Sequence, residues 1–65
     1  MKINGDHIKL DSFLKAVEAV CSGGEAKILI LEGEARVNDE TELRRGRKLR
    51  PGDKVEFAGN SYLVE

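Results

Sequence analysis

The sequence predicts an α+β fold: two N-terminal helices packed on a small, mostly antiparallel sheet. Three observations lead there. Apolar residues recur at three- and four-residue intervals as far as Gly33, and beyond it they alternate with polar ones. Turn-forming pairs at Asn38-Asp39, Pro51-Gly52 and Gly59-Asn60 then divide the second half into short strands. Helices first and strands afterwards favour helices on one side of an antiparallel sheet over an alternating α/β arrangement. A chain of 65 residues holds one small domain, expected to span residues 1–65 and to have a thin core.

Residues 1–9 are polar around Ile3 and Ile8, with a turn-like Asn4-Gly5-Asp6, and read as a short strand or irregular lead-in. From Leu10 the period changes. Leu10, Phe13, Leu14, Val17, Val20 and Cys21 lie on one face of a helix, with Asp11 or Ser12 as N-cap and Lys15 and Glu18 on the exposed side. On that face Cys21 is a small buried hydrophobe.

Ser22 to Glu25 fits a capping box, in which the serine takes the Glu25 N–H and the glutamate reaches back to the Ser22 N–H. Gly23 and Gly24 weaken the helix that follows by about 1 kcal/mol each relative to Ala, and leave backbone open to close approach. Ala26, Leu29 and Ile30 form the second apolar face, and Gly33 is a natural stop. The run Ile28 to Leu31 alone would suit a buried strand equally well; the cap before it and the glycine after it favour helix.

After Gly33, Ala35 and Val37 alternate with Glu34 and Arg36 up to the Asn38-Asp39 turn. Pro51-Gly52 suits a turn with φ fixed at one corner and positive at the next. Val55 and Phe57 alternate with Lys54 and Glu56, and Gly59-Asn60 turns the chain into Tyr62-Leu63-Val64 as a C-terminal hairpin.

Composition narrows the chemistry. One cysteine cannot form an intramolecular disulfide, which suits a reducing, cytoplasmic setting. No 18-residue apolar run and no signal-peptide pattern occur, so neither a membrane nor secretion is expected. With a single His and a single Cys, the usual His/Cys metal spacings are excluded, and the carboxylates show no clustered pattern. His7 reads as an exposed lead-in residue, and Cys21 has no identifiable base to activate it. Neither a Walker loop nor a dinucleotide fingerprint occurs. No metal, no cofactor and no enzymatic activity are expected.

The total charge is near balance, with 11 Lys+Arg against 12 Asp+Glu. The charges are nevertheless segregated. Residues 1–35 carry four lysines against six acids (−2), residues 36–54 seven cations against four acids (+3), and residues 55–65 two acids (−2). Within the middle block, Arg44 to Arg50 (RRGRKLR) holds five cations in seven residues and no acid. Such a run is either a solvated surface loop or an anion-contacting one.

Three stretches decide between these alternatives: KLDSFL (Lys9 to Leu14), SGGEAKILILEGEARVND (Ser22 to Asp39) and RRGRKLRPGDKVEF (Arg44 to Phe57). In order and spacing they resemble the RNA-binding domain of the small-subunit ribosomal protein S-four, the alpha-L RNA-binding motif. Lys9, Leu10, Asp11 and Leu14 match its first segment; Ser22, Ala26, Ile30, Gly33, Val37 and Asn38 the second; Pro51-Gly52-Asp53 the third. Ala35 and Asp39 replace a usual Val and Gly. Gly23-Gly24 stand where many members place an Arg after the Ser, so the resemblance carries no long side-chain contact to that position. The Gly-Gly and basic stretches look like the small stand-alone bacterial members, which the resemblance implies to be RNA-binding and in some cases ribosome-associated.

On this reading the partner is structured RNA, ribosomal or transfer RNA, bound by a monomer that acts on the ribosome or its RNA. Lys9 and Lys27 from the helical half, with Arg36, Arg44, Arg45, Arg47 and Lys48 from the β half, are expected to line one anion-binding face. The bare N–H groups at Gly23-Gly24 suit one phosphate. Asn38 either contacts a sugar or base edge or simply forms its turn. Leu49 and Pro51-Gly52 hold the loop. Phe13 and Phe57 read as core, which leaves Tyr62 the sole candidate for stacking and favours folded RNA over a single strand. Two alternatives come from other classes. A protein-interaction module would dock the basic loop on an acidic partner. A β-grasp sulfur carrier would need a C-terminal Gly-Gly, whereas the chain ends Leu63-Val64-Glu65.

Overall fold

The computed structural model describes residues 5–65, and structural statements refer to these. Along the chain run β1 (Ile8–Lys9), α1 (Leu10–Ala16), α2 (Gly23–Leu31), β2 (Ala35–Val37), β3 (Glu40–Thr41), β4 (Lys48–Leu49), β5 (Lys54–Phe57) and β6 (Asn60–Leu63). The α+β class expected from the sequence is the one observed. All strand pairs are antiparallel. They form a four-stranded sheet of order β3-β2-β5-β6 and a separate two-stranded ladder of β1 and β4. Ile3 and Asn4 of the expected lead-in lie outside the described residues.

The first helix is shorter than its apolar period implies. It ends at Ala16, where Glu18 takes a left-handed φ of 61°. The Ala19 N–H reaches the Leu14 carbonyl (2.9 Å) and the Glu18 N–H the Lys15 carbonyl (3.1 Å), the paired bonds of a Schellman close. Val20 is still buried after this turn, but Cys21 is exposed, so its expected place in the core is not observed. The helix also starts one residue before the expected caps. Lys9 occupies the N-cap position without a side-chain bond, and Asp11 accepts only the neighbouring Ser12 N–H (2.8 Å) from the backbone.

Ser22 caps α2 as expected, accepting the Glu25 N–H at 3.2 Å. The Glu25 carboxylate reaches one residue further back than the capping box predicts, to the Cys21 N–H (2.8 Å). Gly33, at φ +86°, closes α2 with the same paired bonds, Glu34 N–H to Leu29 and Gly33 N–H to Ile30.

Asn38 and Asp39 both take left-handed φ, as a two-residue hairpin turn requires, and join β2 to β3. The β5–β6 turn is Ala58-Gly59 rather than Gly59-Asn60: both turn residues have positive φ, and Asn60 already pairs with Phe57. Gly52 (φ +96°) follows Pro51 at the second corner of its turn and donates to the Val64 carbonyl. The core lies between the helices and the inner sheet face, with Leu10, Phe13, Leu14, Ile30, Val37, Leu49, Val55 and Val64 fully enclosed. Tyr62 is half-buried and meets Phe13 edge to face at 6.0 Å, which ties the expected stacking residue to the core.

Candidate nucleic-acid interface

The basic loop is built into the fold rather than hung on it. A helix begins with N–H groups that have no partner within it. At the start of α1 the loop supplies partners: the Leu10 N–H donates to the Arg47 carbonyl (2.8 Å) and the Asp11 N–H to the Arg45 carbonyl (3.0 Å). The β1–β4 ladder adds the pairs Ile8–Leu49 and Lys9–Lys48. Leu49 is fully buried, so one face of β4 anchors the loop while Lys48 stays exposed.

Two acids set the arginines. Asp11 Oδ2 accepts from Arg45 Nε at 2.9 Å. Glu42, the one buried charged residue among the described residues, accepts from Arg44 Nε (3.0 Å) and Nη2 (3.3 Å), from the Arg44 backbone N–H (3.1 Å), and from Arg47 Nη1 (2.7 Å). The hairpin places it there, because its own N–H donates to the Ala35 carbonyl (2.9 Å). Hydrogen bonding from Arg44 outweighs the opposing effect of burial, and with the Arg47 bond it holds the Glu42 carboxyl down at about 2; Arg44 is raised in turn. Asp53 is lowered chiefly by the Arg50 backbone N–H (2.8 Å), with help from the Asn38 amide.

Arg44, Gly46, Arg47, Lys48, Arg50 and Asp53 line an open concavity of about 710 Å³. Lys9 stands directly opposite Lys48 in the ladder, and neither has an ion-pair partner among the described residues. Like charges facing each other across strands are destabilising, so the fold carries a site that an anion would relieve. Lys27 lines a neighbouring groove with Arg44 and Arg45. The structure therefore brings together Lys9, Lys27, Arg44, Arg45, Arg47 and Lys48, and adds Arg50.

Two expected site residues lie apart from this cluster. Arg36 sits between buried Ala35 and Val37, so it projects from the outer sheet face, where it lies opposite Glu56 and donates to the Asp39 carbonyl (2.8 Å). Asn38 performs its turn: the amide donates to Asp53 (3.1 Å), and its oxygen accepts the Lys54 N–H (3.0 Å). Neither lines the concavity. The bare backbone at Gly23 has a neighbour from within the chain, since a Cβ there would stand 3.3 Å from Arg45 Nη2. The guanidinium missing after Ser22 is thus brought to that place by the loop. Sequence reasoning overlooks Asp11 and Glu42 as organisers. The available signal is an acid just ahead of the arginine pair, and an acid at the start of a helix that a distant arginine can reach.

Comparison with known proteins gives one family. A model of the S4 domain matches residues 1–65. The "Probable ribosome maturation protein RlbA" of Bacillus subtilis is 48% identical over 59 residues, covering 91% of this chain and 83% of that protein. YbcJ of Escherichia coli is 40% identical over 58 residues, covering 89% and 83%. The solution structure of YbcJ, described as an alpha-L motif involved in RNA binding, superposes with a TM-score of 0.74 at 35% identity over 98% of this chain and 82% of that one.

Proposed function

The chain belongs to the S4 domain family, and from that premise we propose that it is a non-catalytic protein that binds structured RNA through the basic loop and the helical edge beside it. The observation that carries this reading is the arrangement of charge. The two acids that pair with the loop's arginines are nearly enclosed, with 10% side-chain exposure for Glu42 and 15% for Asp11, while Arg44 and Arg45 remain 75% and 46% exposed. Solvent in the concavity meets four cations and one acid, Asp53. Phosphates need not compete with these two acids, since each guanidinium has five N–H groups and the acids leave some of them unused. Lys9 and Lys48 add charge that no acid offsets by an ion pair among the described residues, and Arg50 adds a guanidinium that Asp6 and Asp53 meet only at longer range.

The ribosome-maturation name of the B. subtilis relative and the RNA-binding description of YbcJ support placing the bound RNA on the ribosome or its precursors; we take a cytoplasmic monomer as the acting unit. Shape and phosphate contacts suit such a partner: the described residues offer no free aromatic platform, and folded RNA is read largely through its backbone.

The test is a salt series with a ribosomal RNA hairpin. Affinity of the native chain should fall linearly on a log–log scale. Arg44→Ala/Arg45→Ala/Lys48→Ala should weaken binding by roughly tenfold or more and flatten the slope by about one for each phosphate left without its cation. Binding that ignores salt, or survives the triple change, would overturn the reading.

A further inference from the structure

Beside the basic concavity lies a second groove of about 330 Å³ that phosphate binding leaves unused. Its apolar walls are Leu31, the last residue of α2, and Leu43, at the start of the loop; its rim is Lys27, Arg44, Arg45 and Gly46. Both leucines are more than half exposed, among the few large apolar side chains left in solvent. We propose that this groove holds a single unstacked base of the bound RNA, with Lys27 and Arg44 of its rim on the flanking phosphates. The proposal rests on the RNA-binding reading above and adds the mode of recognition.

Continuity is the first argument. Arg44 and Gly46 line both hollows, so a strand whose phosphates follow the basic concavity arrives at the mouth of the apolar groove. Chemistry is the second. A base has two apolar faces and a polar edge, and extruded bases are held between apolar or aromatic side chains. Here the walls are aliphatic, and a guanidinium plane can take the remaining face. Arg45 is suited to that, because Asp11 fixes its Nε. Third, the aromatics are committed elsewhere: Phe13 and Phe57 are buried and Tyr62 packs on Phe13. Base capture falls to Leu31 and Leu43. An acidic peptide could pair with the rim and the basic concavity too, but only a nucleic acid sets a flat apolar-faced group between consecutive anions, as two adjoining hollows of this kind require.

Three versions of one RNA hairpin test this: a single bulged adenosine, the same bulge made abasic, and a fully paired stem. The native chain should bind the bulged adenosine about fivefold more tightly than the abasic form, the low end of what one base stacked on an aromatic ring contributes, since the walls here are aliphatic. Leu31→Ala/Leu43→Ala, with both sites exposed and the fold checked by melting, should erase that ratio while keeping the salt slope. Gly46→Val tests the passage: a Cβ at Gly46 meets nothing within 4 Å, so the change adds bulk without altering charge and should also lower the ratio. Equal binding of bulged and abasic hairpins with a normal salt slope would overturn base capture and leave RNA binding standing. A ratio that persists in the double variant would also overturn it, handing the groove to an acidic peptide or to no ligand. Loss of salt-dependent binding to all three hairpins would instead count against the RNA reading itself.

Discussion

Two faces of this molecule carry cations, and they set the partner acids at different depths. On the outer face of the four-stranded sheet, Arg36 lies opposite Glu56, and Lys54 approaches Asp39 (3.6 Å) and Glu56 (4.0 Å). Asp39 is 72% exposed, so water and any approaching polyanion meet acid and base together. On the loop face the order is reversed. Glu42 and Asp11 lie beneath their arginines, and the cations stand outermost. Exposed ion pairs in water are worth little and present little net field. What separates the faces is the depth of the acids, which a count of charges along the chain does not register.

Removing cations from each face breaks the comparison most directly. The loss of roughly tenfold or more in RNA affinity expected for the Arg44/Arg45/Lys48 variant should have no counterpart in Arg36→Ala/Lys54→Ala, which should stay within about twofold of the native chain. Equal losses from both faces would show that RNA senses total charge alone.

The buried acid gives the next largest effect. The folded pKa of Glu42 lies below its ordinary value of 4.5, at about 2. The stability it contributes is therefore fully present above pH 4.5 and is lost as pH falls toward 2. The shift corresponds to about 3 kcal/mol at most, and screening around the exposed Arg44 reduces this to about 1–2 kcal/mol. Glu42→Gln should cost that amount at pH 7, and the gap from the native chain in thermal melts should close between pH 4.5 and 2. A gap unchanged by pH would show that the carboxylate charge is not what holds the loop.

These contrasts also mark what can be read from the chain alone. Gly33 and Glu18 close their helices with the same bonds, but only Gly33 is legible, because glycine advertises positive φ while Glu18 adopts it under tertiary constraint. The apolar period therefore runs past the true end of α1 and assigns Cys21 to a core it does not reach. The turns at Asn38-Asp39 and Pro51-Gly52 are legible from local chemistry. The cation cluster is half legible: Lys9 and Lys27 join the loop as the ordered segments imply, whereas Arg36 leaves it because strand alternation, fixed by buried Ala35 and Val37, points it outward. The roles of Asp11 and Glu42 need a fold, since they depend on burial and, for Asp11, on an arginine 34 residues away.

Single lysines sharpen the contrast at lower amplitude. Lys48 faces Lys9 across the β1–β4 ladder, so Lys48→Gln should stabilise the fold by about 0.5 kcal/mol while weakening RNA binding. Lys54 has acid neighbours, so Lys54→Gln should cost about 0.3 kcal/mol and leave RNA binding alone. Melting curves and titrations of the two variants would read both signs, and destabilisation by Lys48→Gln would refute the strained-pair account.

The smallest effect separates two adjacent glycines. A Cβ at Gly24 meets only Ser22 Oγ at an ordinary 3.8 Å, whereas one at Gly23 crowds Arg45 Nη2 at 3.3 Å. Neither takes a positive φ, so alanine at either position should stabilise α2 by about 0.4 kcal/mol through the unfolded chain. Only at Gly23 must a guanidinium of the loop face give way by a few tenths of an ångström. Gly23→Ala should therefore lower RNA affinity about twofold while Gly24→Ala leaves it unchanged, a difference visible in parallel titrations at one salt concentration. Equal affinities would mean that Arg45 can shift freely, and that its bond to Asp11 does less to fix the loop face than its geometry implies.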